Sequence, residues 1–459
     1  MENQVIDQSP LIESHSSYPV KRTGNVWSAG AHIITSLIGA GVLSLSWSVA
    51  QLGWIAGPLV LILFSITTLV SASLLCDCYR FPDPEYGPIR TSSYIAAVKL
   101  YLGETKQKVA GVMTYLSLFG TAIAYVVTTS VSTKAILKSN CYDKEGHQAP
   151  CNHGDTFYML LFGLVQIFMS FIPDLHNMTW VSVVAAIMSF AYCSIGLGLG
   201  IAQVIENGTI KGSVVGVPAS SIADKLWLVF QALGDIAFAY PFSTLLLEIQ
   251  DTLKSPPPEN QTMKKATMIA IFITAFFFFC CGCFGYAAFG DATPGNLLTG
   301  FGFYEPYWLI DFANACIILH LVGAYQVFSQ PIYRFFDRWC SRKFSNSEFV
   351  NKFYTLKLPL LPGFQLNLFR LCFRTAYVIS TTGIAILFPY FNQVLGAKGA
   401  LIFWPLAIYF PVEMHLVQKK IQPWTRKWIV FRTFSFVCFL VSVVALVGSI
   451  EGIVSAKLS

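Results

Sequence analysis

The sequence predicts an all-helical integral membrane protein with eleven membrane-spanning helices. Three observations predict this fold class: the 459 residues are 54% hydrophobic and only 12% charged, apolar runs of bilayer length recur, and Lys and Arg are unevenly distributed between them. Globular proteins carry roughly 25% charged residues. A chain with a mean hydropathy of +0.58 has too little polar surface to fold in water. A nucleic-acid-binding protein, a secreted domain and a cytosolic enzyme are therefore excluded.

Each apolar run is near the roughly 20 residues that a helix needs to cross the hydrocarbon core. The runs are Trp27–Leu52, Trp54–Cys76, Val109–Leu137, Thr156–Ile172, Met178–Val204, Leu226–Ile249, Met268–Phe289, Trp308–Ile332, Leu371–Tyr390, Ala400–Val417 and Trp428–Val454. Residues 1–26 contain no signal-peptide pattern and are expected to form a disordered cytosolic tail. We predict one transmembrane domain over 27–454, a short outer tail over 455–459, and no soluble domain.

Lys and Arg orient the spans through the positive-inside rule. With the N-terminus in the cytosol, all but seven of the 30 residues fall in cytosolic segments. The exceptions, in outer loops or at outer helix ends, are Lys134, Lys138, Lys144, Lys211, Lys225, Lys398 and Lys457. Because the number of spans is odd, the C-terminus is expected on the extracellular side.

Two cysteines and one glycosylation sequon agree with this orientation. Cys141 and Cys151 share a predicted outer loop, where a disulfide is chemically permitted, with two free thiols as the alternative. Asn207 begins a sequon in another outer loop and is a glycosylation candidate. The sequons at Asn177 and Asn260 fall on the inner side. The cysteines of 280–283 have CxxC spacing inside an apolar span, so we predict packing there and no metal site.

A short amphipathic helix is predicted in the loop between the second and third spans. Ser93 is placed to cap it, Gly103 ends it, and Tyr94, Val98 and Tyr101 share one face. Such a face suits a helix that lies on the inner membrane surface.

Two spans contain residues that disfavour a continuous helix. Span 1 contains Ile38-Gly39-Ala40-Gly41 at its centre, and span 6 contains Gly234-Asp235-Ile236-Ala237-Phe238 followed by Tyr240-Pro241. These positions correspond if five helices are repeated in inverted orientation, over about 27–204 and 226–417, with 428–454 as an extra helix. Matched interruptions indicate a transporter binding site. The alternative is that the glycines allow close helix packing.

Several motifs are recognisable along the chain. They are Arg22-Thr23-Gly24, Ala31-His32-Ile33-Ile34, Leu43-Ser44-Leu45-Ser46-Trp47, Leu52-Gly53-Trp54, Asp77-Cys78-Tyr79-Arg80, Glu248-Ile249-Gln250-Asp251-Thr252-Leu253, Gly285-Tyr286-Ala287-Ala288-Phe289-Gly290 and Pro389-Tyr390-Phe391. With these motifs the chain resembles the plant amino acid permeases of the amino acid/auxin permease family, in the APC superfamily, and the resemblance extends from about residue 20 to the C-terminus. It implies a LeuT-type fold and proton-driven uptake of amino acids, mainly neutral and also acidic, at the plasma membrane.

A zwitterionic substrate needs one site for its carboxylate and one for its ammonium group. The N–H groups of Gly41, Val42 and Leu43, at the start of the outer half of helix 1, suit the carboxylate. Carbonyl groups released at Ile38 and around 234–236 suit the ammonium group.

Two side chains of span 6 could complete the substrate site. Asp235 would add a carboxylate beside the ammonium group, and Phe238 could cover the substrate side chain. The alternatives are a structural, ion-paired acid for Asp235 and simple packing for Phe238.

Coupling to protons needs a group that titrates, and the candidates are His32, His320 and Asp235. The alternative for either histidine is an ordinary interior hydrogen-bonding role. A sodium site should show hydroxyl groups in the middle of span 8, and residues 312–328 contain no Ser or Thr. The sequence thus predicts the proton as coupling ion and no cofactor.

Two other classes compete with a proton–amino acid symporter. A transporter-like receptor would bind amino acids without translocating them, and a membrane-bound acyltransferase would use a histidine such as His320. The predicted partners are an amino acid, a proton and the lipid bilayer, without nucleic acid. No pattern in the sequence specifies an oligomeric state.

Overall fold

The computed structural model describes residues 22–151, 154–171, 179–301, 307–356 and 364–458. Most of the predicted N-terminal tail and the sequon at Asn177 lie outside these residues. The helices are α1 Val26–Leu37, α2 Leu45–Asp77, α3 Tyr94–Glu145, α4 Thr156–Ser170, α5 Thr179–Asn207, α6 Ile222–Ala239, α7 Ser243–Asp251, α8 Glu259–Phe289, α9 Tyr307–Lys343, α10 Glu348–Asn351, α11 Leu368–Leu387, α12 Phe391–Ile402, α13 Phe410–Gln418 and α14 Arg426–Leu458.

Strands make up only two small antiparallel hairpins in the described residues. They are β1 Arg80–Phe81 with β2 Ile89–Arg90, and β3 Phe353–Leu356 with β4 Phe364–Asn367. Tight 3-10 turns cover Ala40–Ser44, Gly290–Ala292 and Leu297–Thr299, and a wider π-helical segment over Phe403–Tyr409 joins α12 to α13. The architecture is thus all-helical, as the composition predicts.

Eight helical stretches of the described chain are long and apolar enough to cross a membrane. They are Ala40–Asp77, Tyr94–Glu145, Val184–Asn207, Ile222–Asp251, Glu259–Ala292, Tyr307–Lys343, Phe391–Gln418 and Arg426–Leu458. The stretch Thr156–Ser170 is apolar but shorter. The count of eleven spans and the inverted repeat stay predictions.

Glycines in the left-handed conformation divide two of these long stretches. Gly53 has φ +81°, and a Cβ there would lie 2.3 Å from the carbonyl oxygen of Val214. Only glycine accepts both conditions at low cost. The chain therefore bends at the predicted boundary between spans 1 and 2. Gly103, with φ +85°, separates the start of α3 from its long remainder in the same way.

The short helix before Gly103 packs on protein rather than exposing its apolar face to lipid. The Ser93 hydroxyl accepts a hydrogen bond from the Ala96 N–H at 3.3 Å, which confirms the predicted cap. Tyr94, Val98 and Tyr101 are buried, and the Tyr94 hydroxyl donates to the Leu406 carbonyl at 2.6 Å. Periodicity correctly predicted the helix and its buried face but could not specify what that face contacts.

Both ends of the transmembrane domain differ from their predicted boundaries. Arg22 pairs with Asp251 at 2.8 Å, and the backbone of Gly24 bonds to Thr252 and Lys254, so this part of the predicted tail is ordered. At the other end, α14 runs through Leu458, so the described residues 455–458 continue the helix rather than forming a separate tail.

Ion pairs connect the first turns of α8 to the end of α2 and to the loop that follows it. Glu259, at the start of α8, accepts from Arg80 at 2.7 Å and from Arg90 at 3.0 Å. Its hydrogen bonds raise the pKa of the Arg80 guanidinium above the ordinary value. Lys264 similarly pairs with Asp77 at 2.6 Å. The predicted cytosolic face is therefore held by paired charges.

Candidate functional site

Helix 1 is broken at the two glycines. Helix α1 ends at Leu37, Ile38 has φ −80° and ψ 90°, and the tight turn over Ala40–Ser44 leads into α2. Residues from Gly41 onward thus begin a 3-10 turn rather than the α-helix that was expected. In a 3-10 helix the first three N–H groups have no partner within the helix. Counted from the N-cap Gly39, these groups belong to Gly39, Ala40 and Gly41. The Gly39 N–H donates to the Leu37 carbonyl at 3.0 Å, which leaves those of Ala40 and Gly41.

Two side chains of α5 hydrogen-bond the carbonyl groups that the break releases. The Ser189 hydroxyl donates to the Ile38 carbonyl at 2.9 Å. The Tyr192 hydroxyl lies 3.1 Å from the Gly39 carbonyl oxygen and 3.3 Å from that of Ile38. Both side chains are buried. An unpaired carbonyl would be costly at membrane depth, so α5 stabilises the open form of helix 1.

His320 joins the same hydrogen-bond network from α9. Its Nδ1 lies 3.1 Å from the Ser189 hydroxyl and 3.1 Å from the Ala185 carbonyl oxygen. Because a carbonyl only accepts, these contacts assign the proton to Nδ1, and the Ser189 oxygen can accept from it as well. Nε2 is then the nitrogen that can take a second proton. His320 is therefore connected through Ser189 to the break in helix 1.

His32 and His320 line one cavity of about 440 Å³, bounded by α1, α3, α5, α7 and α9. Glu248 and Tyr125 lie in the same wall. The structure thus brings together two histidines that are far apart in the sequence. Glu248, near the end of predicted span 6, also belongs to this cavity.

Helix 6 is broken at Tyr240–Phe242, beyond the predicted opening. Helix α6 continues through Ala239, and α7 begins at Ser243. Gly234, Asp235 and Ile236 are helical, so the expected release of their carbonyl groups at an opening in the helix is wrong. Pro241 accounts for the actual position, because it has no N–H group to continue the ladder.

Gly234 has a packing role instead. A Cβ at Gly234 would lie 2.7 Å from the carbonyl oxygen of Gly396, and a Cβ at Gly399 would lie 2.3 Å from that of Gly234. Small residues on both helices therefore let α6 and α12 approach closely. The packing alternative was the correct interpretation of this glycine.

The two breaks contact each other at Gly41. A Cβ there would lie 2.9 Å from the Ala239 Cα and 3.0 Å from the Phe238 ring. Real Cβ atoms essentially never approach backbone this closely, so only glycine fits without displacing the end of α6. The structure therefore places the Phe238 ring beside Gly41 of the predicted carboxylate site. The same tight turn also contains Ala40, Val42 and Leu43.

Asp235 is fully buried and points toward α12 and α14. Its Oδ1 would lie 3.0 Å from a Cβ at Gly396, and the Ser449 hydroxyl would lie 2.7 Å from the same point. The break itself contacts Ala239, one helical turn further along α6. The role of Asp235 in binding an ammonium group or a proton stays a prediction.

The structure joins Cys141 and Cys151 in a disulfide with a Cα–Cα distance of 5.9 Å. The amide of Asn207 donates to the Ala288 carbonyl at 2.9 Å, which uses one of its two N–H bonds. These features lie apart from the cavity and the two breaks.

Ser189 and Tyr192 are site residues that the sequence does not reveal. Both lie in an apolar span, where a hydroxyl commonly bonds to its own helix. Only the crossing of α5 over the helix 1 break explains their position. For Glu248 a signal existed, since a carboxylate inside span 6 is costly in lipid.

Comparison with known proteins identifies a family and several similar sequences. Residues 22–455 match the family described as "Transmembrane amino acid transporter protein". The chain is similar to "Probable amino acid permease 7" of Arabidopsis thaliana, with 61% identity over 99% of this chain and 98% of that protein. It is also similar to "Amino acid permease 3" of the same plant, with 53% identity over 94% of this chain and 91% of that protein.

A more distant sequence and a solved structure extend the comparison. "Lysine histidine transporter-like 1" of Arabidopsis thaliana is 28% identical over 98% of this chain and 90% of that protein. The crystal structure of MhsT in complex with L-phenylalanine has a similar fold, with a TM-score of 0.51 and 12% identity, covering 94% of this chain and 100% of that one. At this identity the likeness concerns the fold alone.

Proposed function

The chain belongs to the transmembrane amino acid transporter family, and from this we propose that it is a proton-coupled symporter that imports amino acids across the plasma membrane by alternating access. The family and the relatives are transporters rather than enzymes, so the acyltransferase alternative is wrong. The observation that carries the proposal is the contact between two broken helices at Gly41, beside a histidine that reaches one of the breaks through a hydroxyl.

The substrate binds between the two breaks with its carboxylate toward helix 1. The N–H groups of Ala40 and Gly41 start the tight turn and are free to donate, and the positive end of the helix dipole favours an anion there. The backbone carries this interaction for every amino acid. Recognition of the carboxylate is therefore independent of the substrate side chain.

The ammonium group binds to carbonyl oxygens on the other side of the breaks. The Tyr192 hydroxyl has one hydrogen, and the nearer acceptor for it is the Gly39 carbonyl at 3.1 Å. The Ile38 carbonyl then accepts from Ser189 and keeps a second lone pair for another donor. The last turn of α6 adds carbonyl groups that have no partner within the helix. Together they form a site for a cation without a protein carboxylate.

A proton on His320 couples to the substrate site through Ser189. When Nε2 takes up a proton, the Nδ1–H becomes a stronger donor and polarises the Ser189 hydroxyl toward the Ile38 carbonyl. This changes the electrostatic potential at a carbonyl that binds the ammonium group. His32, in the wall of the same cavity, supplies a second position along the proton path.

The cavity lies on the predicted cytosolic side of the breaks, where it is lined by His32, Glu248 and Thr252. We assign this arrangement to an inward-facing state with a cytosolic N-terminus and an extracellular C-terminus. A proton that crosses about 100 mV with one pH unit contributes about 3.7 kcal/mol. That free energy supports accumulation of a neutral substrate by about 500-fold.

Uptake into proteoliposomes tests the proposal. Purified protein is reconstituted with an imposed inward proton gradient and no sodium, and the uptake of radiolabelled alanine and glutamate is measured. Accumulation above equilibrium that collapses with a protonophore is the expected result. Empty liposomes and the Gly41→Val protein serve as controls. Accumulation that requires sodium would contradict proton coupling, and binding without accumulation would favour the receptor alternative.

A further inference from the structure

Lys398 lies within a membrane-spanning helix rather than at an outer helix end. Helix α12 begins at Phe391 instead of the predicted Ala400, and it continues through the wider segment to Gln418. The charged side chain is thus half-buried within a stretch long and apolar enough to cross the membrane. Ionisable groups in this position are costly and mark functional sites.

The ammonium group of Lys398 faces an aromatic ring and no anion. Its Nζ lies 4.4 Å from the centre of the Phe238 ring. Within the described residues it has no carboxylate or hydrogen-bond partner. A cation–π contact compensates only part of the cost of burying a charge. The side chain therefore has the capacity to bind an anion.

Phe238 connects this cation to the substrate site. Its ring lies between Lys398 and the break in helix 1, where it would contact a Cβ at Gly41. Gly120 of α3 makes room for the lysine stem, because a Cβ there would lie 3.1 Å from the Lys398 Cγ. The Lys398 ammonium group thus lies against the same Phe238 ring that the substrate side chain would contact.

A small cavity with both apolar and polar lining residues adjoins Lys398. It has a volume of about 40 Å³ and lies beside the helix 6 break at Pro241. Its polar wall consists of Lys398, Ser36, Ser117, Thr121, Ser243 and Thr244, and no acidic side chain lines it. One water needs roughly 10–15 Å³ on this measure. The space therefore suits a group about the size of a carboxymethyl.

We propose that Lys398 and this cavity bind the side-chain carboxylate of acidic amino acids. The inference rests on the proposed amino acid transport and adds to it the basis for accepting aspartate and glutamate. The backbone at helix 1 binds the α-carboxylate, and the lysine ammonium group donates to the second carboxylate. A neutral substrate leaves the ammonium group on the Phe238 ring and is bound without it.

The test compares glutamate and alanine uptake by Lys398→Met, which keeps the stem and removes the charge. The KM for glutamate is expected to rise by about 10- to 100-fold, the value of a charge-assisted hydrogen bond. The KM for alanine is expected to change less than about twofold. Lys398→Arg keeps the charge and should retain more glutamate uptake than the methionine variant.

Lys457→Met is the matched control, because Lys457 makes the same type of contact, 4.7 Å from the Phe388 ring, near the end of α14. It should leave both substrates unaffected. An equal change for glutamate and alanine in Lys398→Met, or no change in either, would overturn the inference. So would a wild-type protein that imports alanine but neither imports acidic amino acids nor is inhibited by them.

A binding measurement tests the inference if the Lys398→Met protein folds but transports neither substrate. Thermal stabilisation of purified Lys398→Met by alanine and by glutamate is compared, and selective loss of the glutamate effect supports the inference. Loss of both effects contradicts it. Failure of the wild-type protein to transport any amino acid would refute the proposed function itself, which separates the two hypotheses.

Discussion

The breaks in helix 1 and helix 6 meet at Gly41 but arise from different physical causes. Helix 1 opens at Ile38–Gly39, and its released carbonyl groups are held by Ser189 and Tyr192 from another helix. Helix 6 opens at Pro241, where the missing N–H group interrupts the ladder locally. One break therefore depends on tertiary hydrogen bonds and the other on covalent chemistry. The helix 1 break is connected to His320 by hydrogen bonds through Ser189.

Adding a side chain at Gly41, where the two breaks are in contact, should reduce uptake more than any other substitution. Gly41→Val places a branched side chain where even a Cβ would lie 2.9 Å from the Ala239 Cα. We expect uptake to fall to background with surface expression retained, measured by radiolabelled alanine uptake and surface biotinylation. Gly198→Val is the control, because no described atom lies within 4 Å of its Cβ position. Normal uptake by Gly41→Val would rule out the site at the helix 1 break.

Removing the titratable group at the helix 1 break should abolish accumulation but not exchange. His320→Gln keeps a polar side chain beside Ser189 and cannot change charge. Proton-driven accumulation of alanine is expected to fall to the equilibrium level, while counterflow under equal pH continues. His415→Gln, on α13, should accumulate alanine normally. Accumulation by His320→Gln would assign the proton to another residue.

Restoring a backbone N–H group at position 241 should allow helix 6 to become partly continuous across its break. Pro241→Ala supplies an N–H group and removes the ring that opposes a helix, a penalty of about 3 kcal/mol. If part of this free energy stabilises a continuous helix, the KM for alanine should rise by about tenfold. Uptake kinetics measure the change. An unchanged KM would show that packing, rather than proline, holds this break open.

Removing the Ser189 hydroxyl, one of two donors at the helix 1 break, should affect uptake least among the four substitutions. Ser189→Ala leaves the Tyr192 hydroxyl to bond the same carbonyl groups. One hydrogen bond corresponds to about a three- to tenfold rise in KM. Ser194→Ala, on the exposed side of α5, is the control. The double variant with Tyr192→Phe should exceed the two single effects combined, since it leaves the carbonyl groups unpaired.

The sequence by itself determined the all-helical class, the family and the position of the first break. Apolar runs of bilayer length leave few alternatives in lipid, where every backbone group must be hydrogen-bonded within a helix or a closed barrel. The paired glycines of helix 1 marked the break correctly because they weaken a helix wherever they occur.

The sequence was less informative where a residue has two possible uses. Gly234 had the same local signature as Gly39, yet it serves the approach of α6 to α12. Lys398 was counted as an outer charge, because a loop and the first turns of a helix cannot be separated by composition alone. Only the neighbouring helix decides between a hinge and a packing contact, or between a rim charge and a buried one.

The tertiary structure alone decided which polar groups meet. Ser189 and His320 lie 131 positions apart in the chain, and Ile38 lies 151 positions before Ser189, yet hydrogen bonds connect all three. Contacts between spans depend on how helices cross, and small differences in rotation bring different side chains together. The sequence specified helices that can cross the membrane and two places where they weaken, and packing determined which residues surround those places.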